Sequence, residues 1–93
     1  MSLNVVWTSR FKKDYKLAIK RGLAIEELDN AIRLLAKDGK LPEQYHDHPL
    51  DGDWKGFREC HIEPDWLLIY AIENNILVLT LSRTGTHSDL FNK

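Results

Sequence analysis

Cysteine is almost missing from these 93 residues: Cys60 is the single one. One thiol cannot build an internal disulfide framework, and its isolation favours a reducing compartment. Long apolar runs are missing too. Nothing approaches the ~18 residues of a membrane-spanning helix, so no membrane partner is expected. The opening residues lack the apolar segment of a signal peptide, which predicts a cytoplasmic protein. There are no repeats, no low-complexity tracts and no linker, which leaves one domain over residues 1–93. Net charge is nearly absent as well, at −1.

What is present is a globular composition. Apolar residues make up 43% of the chain, enough for a core and too many for a disordered segment. A core of this size is modest, so a partner could add stability. The small net charge hides an asymmetry. Residues 1–40 hold nine Lys and Arg against five acids, and residues 41–93 hold four against nine. A basic half can touch a polyanion although the whole chain is near neutral. Lys12, Lys13, Lys16 and Lys20 dominate that half. They are equally well read as the solvated face of a helix.

Asn4-Val5-Val6-Trp7 reads as a short strand. Thr8 or Ser9 then offers an N-cap hydroxyl. Phe11, Tyr15, Ala18 and Ile19 recur at helical spacing, and Gly22 supplies the stop. A second helix carries Ile25, Leu28, Ile32 and Leu35 on one face, with Glu26 and Glu27 where the helix dipole favours acids. Gly39 ends it, and the short connection predicts an antiparallel helical hairpin. Residues 40–53 read as loop. Three strands follow: Trp54 to Ile62, Trp66 to Glu73 and Ile76 to Arg83. Glu63-Pro64-Asp65 and Asn74-Asn75 are the turns between them. The middle strand is apolar on both faces, as for a strand covered on both sides. The predicted class is α+β, in the order β-α-α-β-β-β, with an antiparallel sheet and the helical hairpin packed on one face. On the last strand, Arg83 is expected to share a side with Leu77, Leu79 and Leu81.

All four histidines, His46, His48, His61 and His87, lie in the second half, near loops or strand ends. The Glu63-Pro64-Asp65 turn should bring Asp65 close to His61. In a meander, Arg83 should fall near Asp65 and Trp66, with His87 just beyond. Imidazoles exchange protons near neutrality, guanidinium matches phosphate, and aromatic rings stack on bases. Together these groups meet the needs of metal-free RNA cleavage: a base, an acid, and a cation for the growing charge. Blander readings stand beside this one. A lone histidine is more often a surface residue than a catalyst. His46, His48, His61 and Asp65 could instead hold zinc, although no helical HExxH or CxxC supports it. Trp54, Phe57 and Trp66 can be core aromatics, the favoured reading for Trp54, and Phe91 a plug on the apolar layer.

His48-Pro49-Leu50, Gly52, Trp54-Lys55-Gly56, Arg58, His61, Glu63-Pro64-Asp65-Trp66, Ile69-Tyr70, Arg83-Thr84-Gly85-Thr86-His87 and Leu90-Phe91 form a denser pattern. In this order they resemble the YafQ-like mRNA interferase toxins of the RelE/ParE superfamily. The resemblance is dense over residues 48–91 and rests on the helix pair before that. It implies a RelE-like microbial RNase fold and a type II toxin that cuts mRNA in the A site of the 70S ribosome. It implies no cofactor, and a cognate antitoxin of the ribbon-helix-helix type through which operator DNA is reached. By position, His48, His61, Asp65 and His87 match the acid/base residues, Arg83 the phosphate-stabilising cation, and Trp66 and Phe91 the mRNA-positioning aromatics. Lys12, Lys13, Lys16 and Lys20 become the rRNA-facing surface. The near-neutral charge departs from the family, whose members are distinctly basic. The rival within this resemblance is a RelE-fold subunit that binds antitoxin without cutting.

Overall fold

The computed structural model describes residues 2–75 and 77–91. Strand β1 (Asn4–Trp7) leads into helices α1 (Ser9–Lys20) and α2 (Ile25–Asp38). The short strand β2 (His48–Pro49) follows, then β3 (Arg58–Glu63), β4 (Trp66–Glu73), β5 (Val78–Gly85) and a short helix α3 (His87–Phe91). Thr8 caps α1 as expected, its Oγ1 accepting the Phe11 N–H at 3.1 Å. Gly39 closes α2 in the left-handed conformation at φ 72°.

The five strands lie in the order β1-β5-β4-β3-β2. The meander of β3, β4 and β5 is antiparallel as predicted. The sheet as a whole is mixed, because β1 runs parallel to β5. A turn dictates antiparallel pairing only between strands it joins. The helical hairpin and three further strands lie between β1 and β5, so no turn fixes their relative direction. The predicted loop also holds more structure than expected. Asp47 accepts the Tyr70 hydroxyl at 2.6 Å and Arg58 Nε at 3.1 Å. These bonds draw the loop to the sheet edge, and His48-Pro49 pairs with β3. Trp54 leaves the predicted strand for a 3₁₀ turn, Gly52–Trp54. At the β4–β5 turn the positive φ falls on Leu77. The first residue of the expected last strand, Ile76, lies outside the described residues.

The helices bury Phe11, Ala18, Leu28, Ala31, Ile32 and Leu35 against Cys60, Leu68, Tyr70, Leu79 and Leu81. Burial pushes the Cys60 thiol pKa well up, so this side chain is an inert core group. The opposite face has its own apolar cluster. Leu67, Ile69 and Leu90 form it, with Leu50, Trp54, Phe57 and Phe91 packed around them. Both faces of β4 are therefore covered, as its unbroken apolar run implies.

One irregularity moves a site residue. Tyr70 stands opposite Leu81 and Ile69 opposite Arg83, which leaves Ser82 as an extra residue. The bulge shifts the alternation of β5 by one position. Thr84, and not Arg83, therefore continues the buried face begun by Leu79 and Leu81.

Candidate active site

Four imidazoles meet around the end of β3. The His61 ring centroid lies 6.0 Å from that of His46, 6.1 Å from His48 and 6.1 Å from His87. The Phe91 ring extends the row at 6.3 Å from His87. Different elements supply the row. β3 carries His61, the Asp47-anchored loop carries His46 and His48, and α3 carries His87 and Phe91.

At one end sits a residue the motif reading missed. Glu59 is only 4% exposed, and its Oε1 lies 3.7 Å from His48 Nε2 and 3.6 Å from His61 Nε2. The signal was the two-residue spacing from Glu59 to His61, which puts both on one face of a strand. Protons can be placed here by elimination. His48 Nδ1 is 2.8 Å from the His46 carbonyl, and His61 Nδ1 is 3.3 Å from the Pro64 carbonyl. A carbonyl only accepts, so each Nδ1 carries hydrogen. Neutral rings would then turn two Nε2 lone pairs toward one carboxylate oxygen. A proton shared among the three groups, a bridging water or a cation relieves that opposition.

The other end is a different unit. Asp65 Oδ1 accepts the His87 backbone N–H at 3.2 Å and His87 Nδ1–H at 2.9 Å. Those bonds hold the Asp65 carboxyl below its ordinary pKa. They also orient the ring, with Nδ1 engaged by the carboxylate. Asp65 is thus tied to His87, while His61 has its own carbonyl partner in the same turn. His87 opens a helix, where a loop was expected.

Two expected placements are corrected. Arg83 lines one cavity with Trp66, as expected, but does not lie beside Asp65. The register puts Gly85 opposite Leu67, so the chain reaches Asp65 only at His87. Arg83 instead turns to α1, where Asp14 accepts its Nε at 2.7 Å and its Nη2 at 3.2 Å. Asp14 also accepts the Thr84 N–H at 3.1 Å. β1 ends opposite Leu81, so this carboxylate takes the place of a missing strand. Trp66 is a core residue, 2% exposed, and its Nε1–H is spent on Thr84 Oγ1 at 2.9 Å. A ring so enclosed has no face to offer a base. Phe91 is half-buried against Trp54 and His87, while Lys12, Lys13, Lys16 and Lys20 are all exposed along α1.

His48, Glu59 and His61 could also hold a metal ion, since one ligand atom from each lies within 4.8 Å of the others. Asp65, in the zinc set suggested by the sequence, is engaged by His87 instead.

A small α+β fold with paired histidines and carboxylates on an open sheet face has the architecture of a compact acid–base nuclease. Comparison with known proteins makes this specific. Residues 3–92 match the model of the bacterial toxin of type II toxin–antitoxin systems, YafQ. The mRNA interferase toxin YafQ of Escherichia coli K12 is 43% identical over 89 residues, covering 95% of each chain. The E. coli DinJ–YafQ toxin–antitoxin complex contains a chain of 41% identity. It superposes with a TM-score of 0.88, covering 98% of this chain and 99% of that one. A metal-bound toxin from Helicobacter pylori is 42% identical with a TM-score of 0.88, covering 96% and 99%. The chain belongs to the YafQ family of type II toxins.

Proposed function

We propose that this toxin cleaves mRNA in the ribosomal A site by acid–base catalysis that needs no metal. The observation that carries the reading is His61 standing between the Glu59–His48 pair and the Asp65-held His87. A proton shared by His48 and Glu59 leaves the His61 Nε2 lone pair free. That nitrogen takes the proton of the 2′-hydroxyl as its oxygen attacks phosphorus. The bond from phosphorus to the 5′-oxygen breaks, and His87 Nε2–H protonates the leaving oxygen. The products are a 2′,3′-cyclic phosphate and a 5′-hydroxyl. Arg83 Nη1, which Asp14 does not engage, is the donor left for a phosphate oxygen. Phe91 stacks on a neighbouring base, and the α1 lysines face rRNA.

The partners follow from the same reading: the 70S ribosome with its mRNA, and a cognate antitoxin of the ribbon-helix-helix type that carries the toxin to operator DNA. The sheet face is shallow, so the ribosome would supply the alignment, which can be worth several kcal/mol. Inducing the chain alone should arrest growth, and its antitoxin should restore it. Purified protein should cut mRNA on programmed ribosomes and leave naked mRNA intact. Unimpeded growth with folded protein present would favour the non-cutting subunit instead, and efficient cutting of naked mRNA would remove the ribosome from the mechanism.

A second reading is favoured by the convergence of His48, Glu59 and His61 and by the metal-bound relative. A divalent transition ion would meet imidazole and carboxylate donors of the kind it prefers. Calorimetric titration with zinc or copper tests it. Stoichiometric binding lost in Glu59→Gln would support the site. That binding should also inhibit cleavage, because it occupies the nitrogen the base needs.

A further inference from the structure

His87 and Phe91 both ride on α3, whose five residues are far below the ~12–15 at which an isolated helix is even marginal. Its order must come from anchors. Thr86 and Asp89 cap it reciprocally: Asp89 N–H donates to Thr86 Oγ1 at 3.1 Å, and Thr86 N–H to Asp89 Oδ2 at 3.0 Å. Leu90 sits in the second apolar cluster. Asp65 grips His87 from the β3–β4 turn. Gly85 lets the helix fold back, since a Cβ there would come within 3.0 Å of Asp89.

One anchor reaches across the molecule. Arg21, at the C-terminal end of α1, donates Nη1 to Asp89 Oδ2 at 2.7 Å and Nη2 to Oδ1 at 3.4 Å. Asp89 therefore serves two ends at once, closing the α3 cap and receiving the arginine. Asp65 and Arg21 thus both tie α3 to parts of the chain outside the tail. We propose that Arg21 is a positioning residue for the reaction, acting through Asp89 to hold α3 so that His87 and Phe91 keep their places beside His61. This rests on the cleavage reading for its functional consequence, and on the contacts alone for the hold itself.

The test uses the full chain with Arg21→Gln, Arg21→Lys, Asp89→Asn and the Arg21→Gln/Asp89→Asn double variant. Arg21 is exposed, and Asn can still accept the capping bond, so the global fold should persist. In Arg21→Gln, amides of α3 should exchange about tenfold faster than in the parent. The Asp65 carboxyl, followed by carbon-13 NMR, should titrate closer to its ordinary value, although Arg21 does not touch it. On whichever RNA substrate the parent cuts, kcat should fall roughly 3- to 10-fold while KM changes little. Arg21→Lys should recover most of this, Asp89→Asn should match Arg21→Gln, and the double variant should be no worse than either. Unchanged α3 exchange and Asp65 titration in Arg21→Gln would overturn the proposal, as would additive losses or a Lys variant that behaves like Gln. If the parent cuts no RNA, the cleavage reading fails, and the exchange and titration experiments still decide the hold.

Discussion

Arg83 and His87 lie four positions apart, yet the structure gives them opposite surroundings. His87 is exposed and held by one carboxylate through Nδ1, whereas Arg83 is mostly enclosed and held by Asp14. Their variants should fail differently. In the proposed mechanism His87→Ala removes the proton donor, and cleavage should fall by about 100- to 10,000-fold. A substrate with sulfur at the 5′-leaving position needs little protonation, so it should restore much of that loss and little of the loss in Arg83→Ala. Equal rescue of both, measured as single-turnover rates, would reject His87 as the acid. Arg83→Ala carries a second cost. It leaves the Asp14 carboxylate enclosed without its cation, which should destabilise the fold by about 1–3 kcal/mol in urea unfolding. Adding Asp14→Asn should recover part of that stability but none of the activity. His87→Ala should leave stability nearly unchanged.

At the scale of elements, β4 and α3 mark the extremes of enclosure. β4 is enclosed on both faces, and Trp66 belongs to that enclosure. Trp66→Phe should cost about 1–2 kcal/mol, through the lost N–H bond and the smaller ring. Cleavage at low temperature should survive within about 3-fold once folded protein is matched, because loss of a core bond leaves folded molecules competent. A collapse of cleavage with unchanged stability would show that the ring meets RNA after all. α3 is held largely by charge, and acid should release it. Arg21 and the cap bonds lower the Asp89 pKa to about 2. A carboxyl with a depressed folded-state value adds stability above its ordinary value of 3.8, lost as pH falls toward about 2. The Asp65 shift has the same sign. Exchange protection of α3 should therefore fade across that acid window before β4 and β5 lose theirs. Simultaneous loss would mean that the tail is held by apolar packing alone.

For the molecule as a whole, the charge is divided by structure as well as by sequence. The lysines of α1 are exposed on one side, while the acids include several enclosed partners: Glu59 with the histidines, Asp14 with Arg83, and Asp47 with Arg58 and Tyr70. A net charge of −1 thus understates how basic the α1 surface is. Changing Lys12, Lys13, Lys16 and Lys20 together to Gln should weaken ribosome binding and flatten its dependence on salt. The cleavage rate of already bound ribosomes should hold. Unchanged binding with a slower bound-state rate would move these lysines from docking to chemistry. The Arg21–Asp89 contact links the end of this helix to the tail, so lysine substitutions close to Arg21, Lys20 above all, are the ones to check for an effect on α3 exchange.

Much was determined by the sequence alone. Helical spacing around Phe11 and Leu28, the turn at Pro64, and the unbroken apolar run of β4 are local patterns, and local patterns survive without tertiary knowledge. The histidines were legible as candidates for the same reason, since they stand at strand and loop ends, and the fold brings their rings together. Direction, phase and enclosure were decided only by the fold. The parallel β1–β5 pairing joins strands that 70 residues separate, from Trp7 to Val78. A single extra residue at Ser82 turned Arg83 off the expected face. The burial of Trp66, the meeting of Glu59 with two imidazoles, and the grip of Arg21 on Asp89 each join residues whose neighbourhood no local pattern encodes. Such contacts exist only once packing has chosen one register and one helix placement from the many that the same apolar pattern permits.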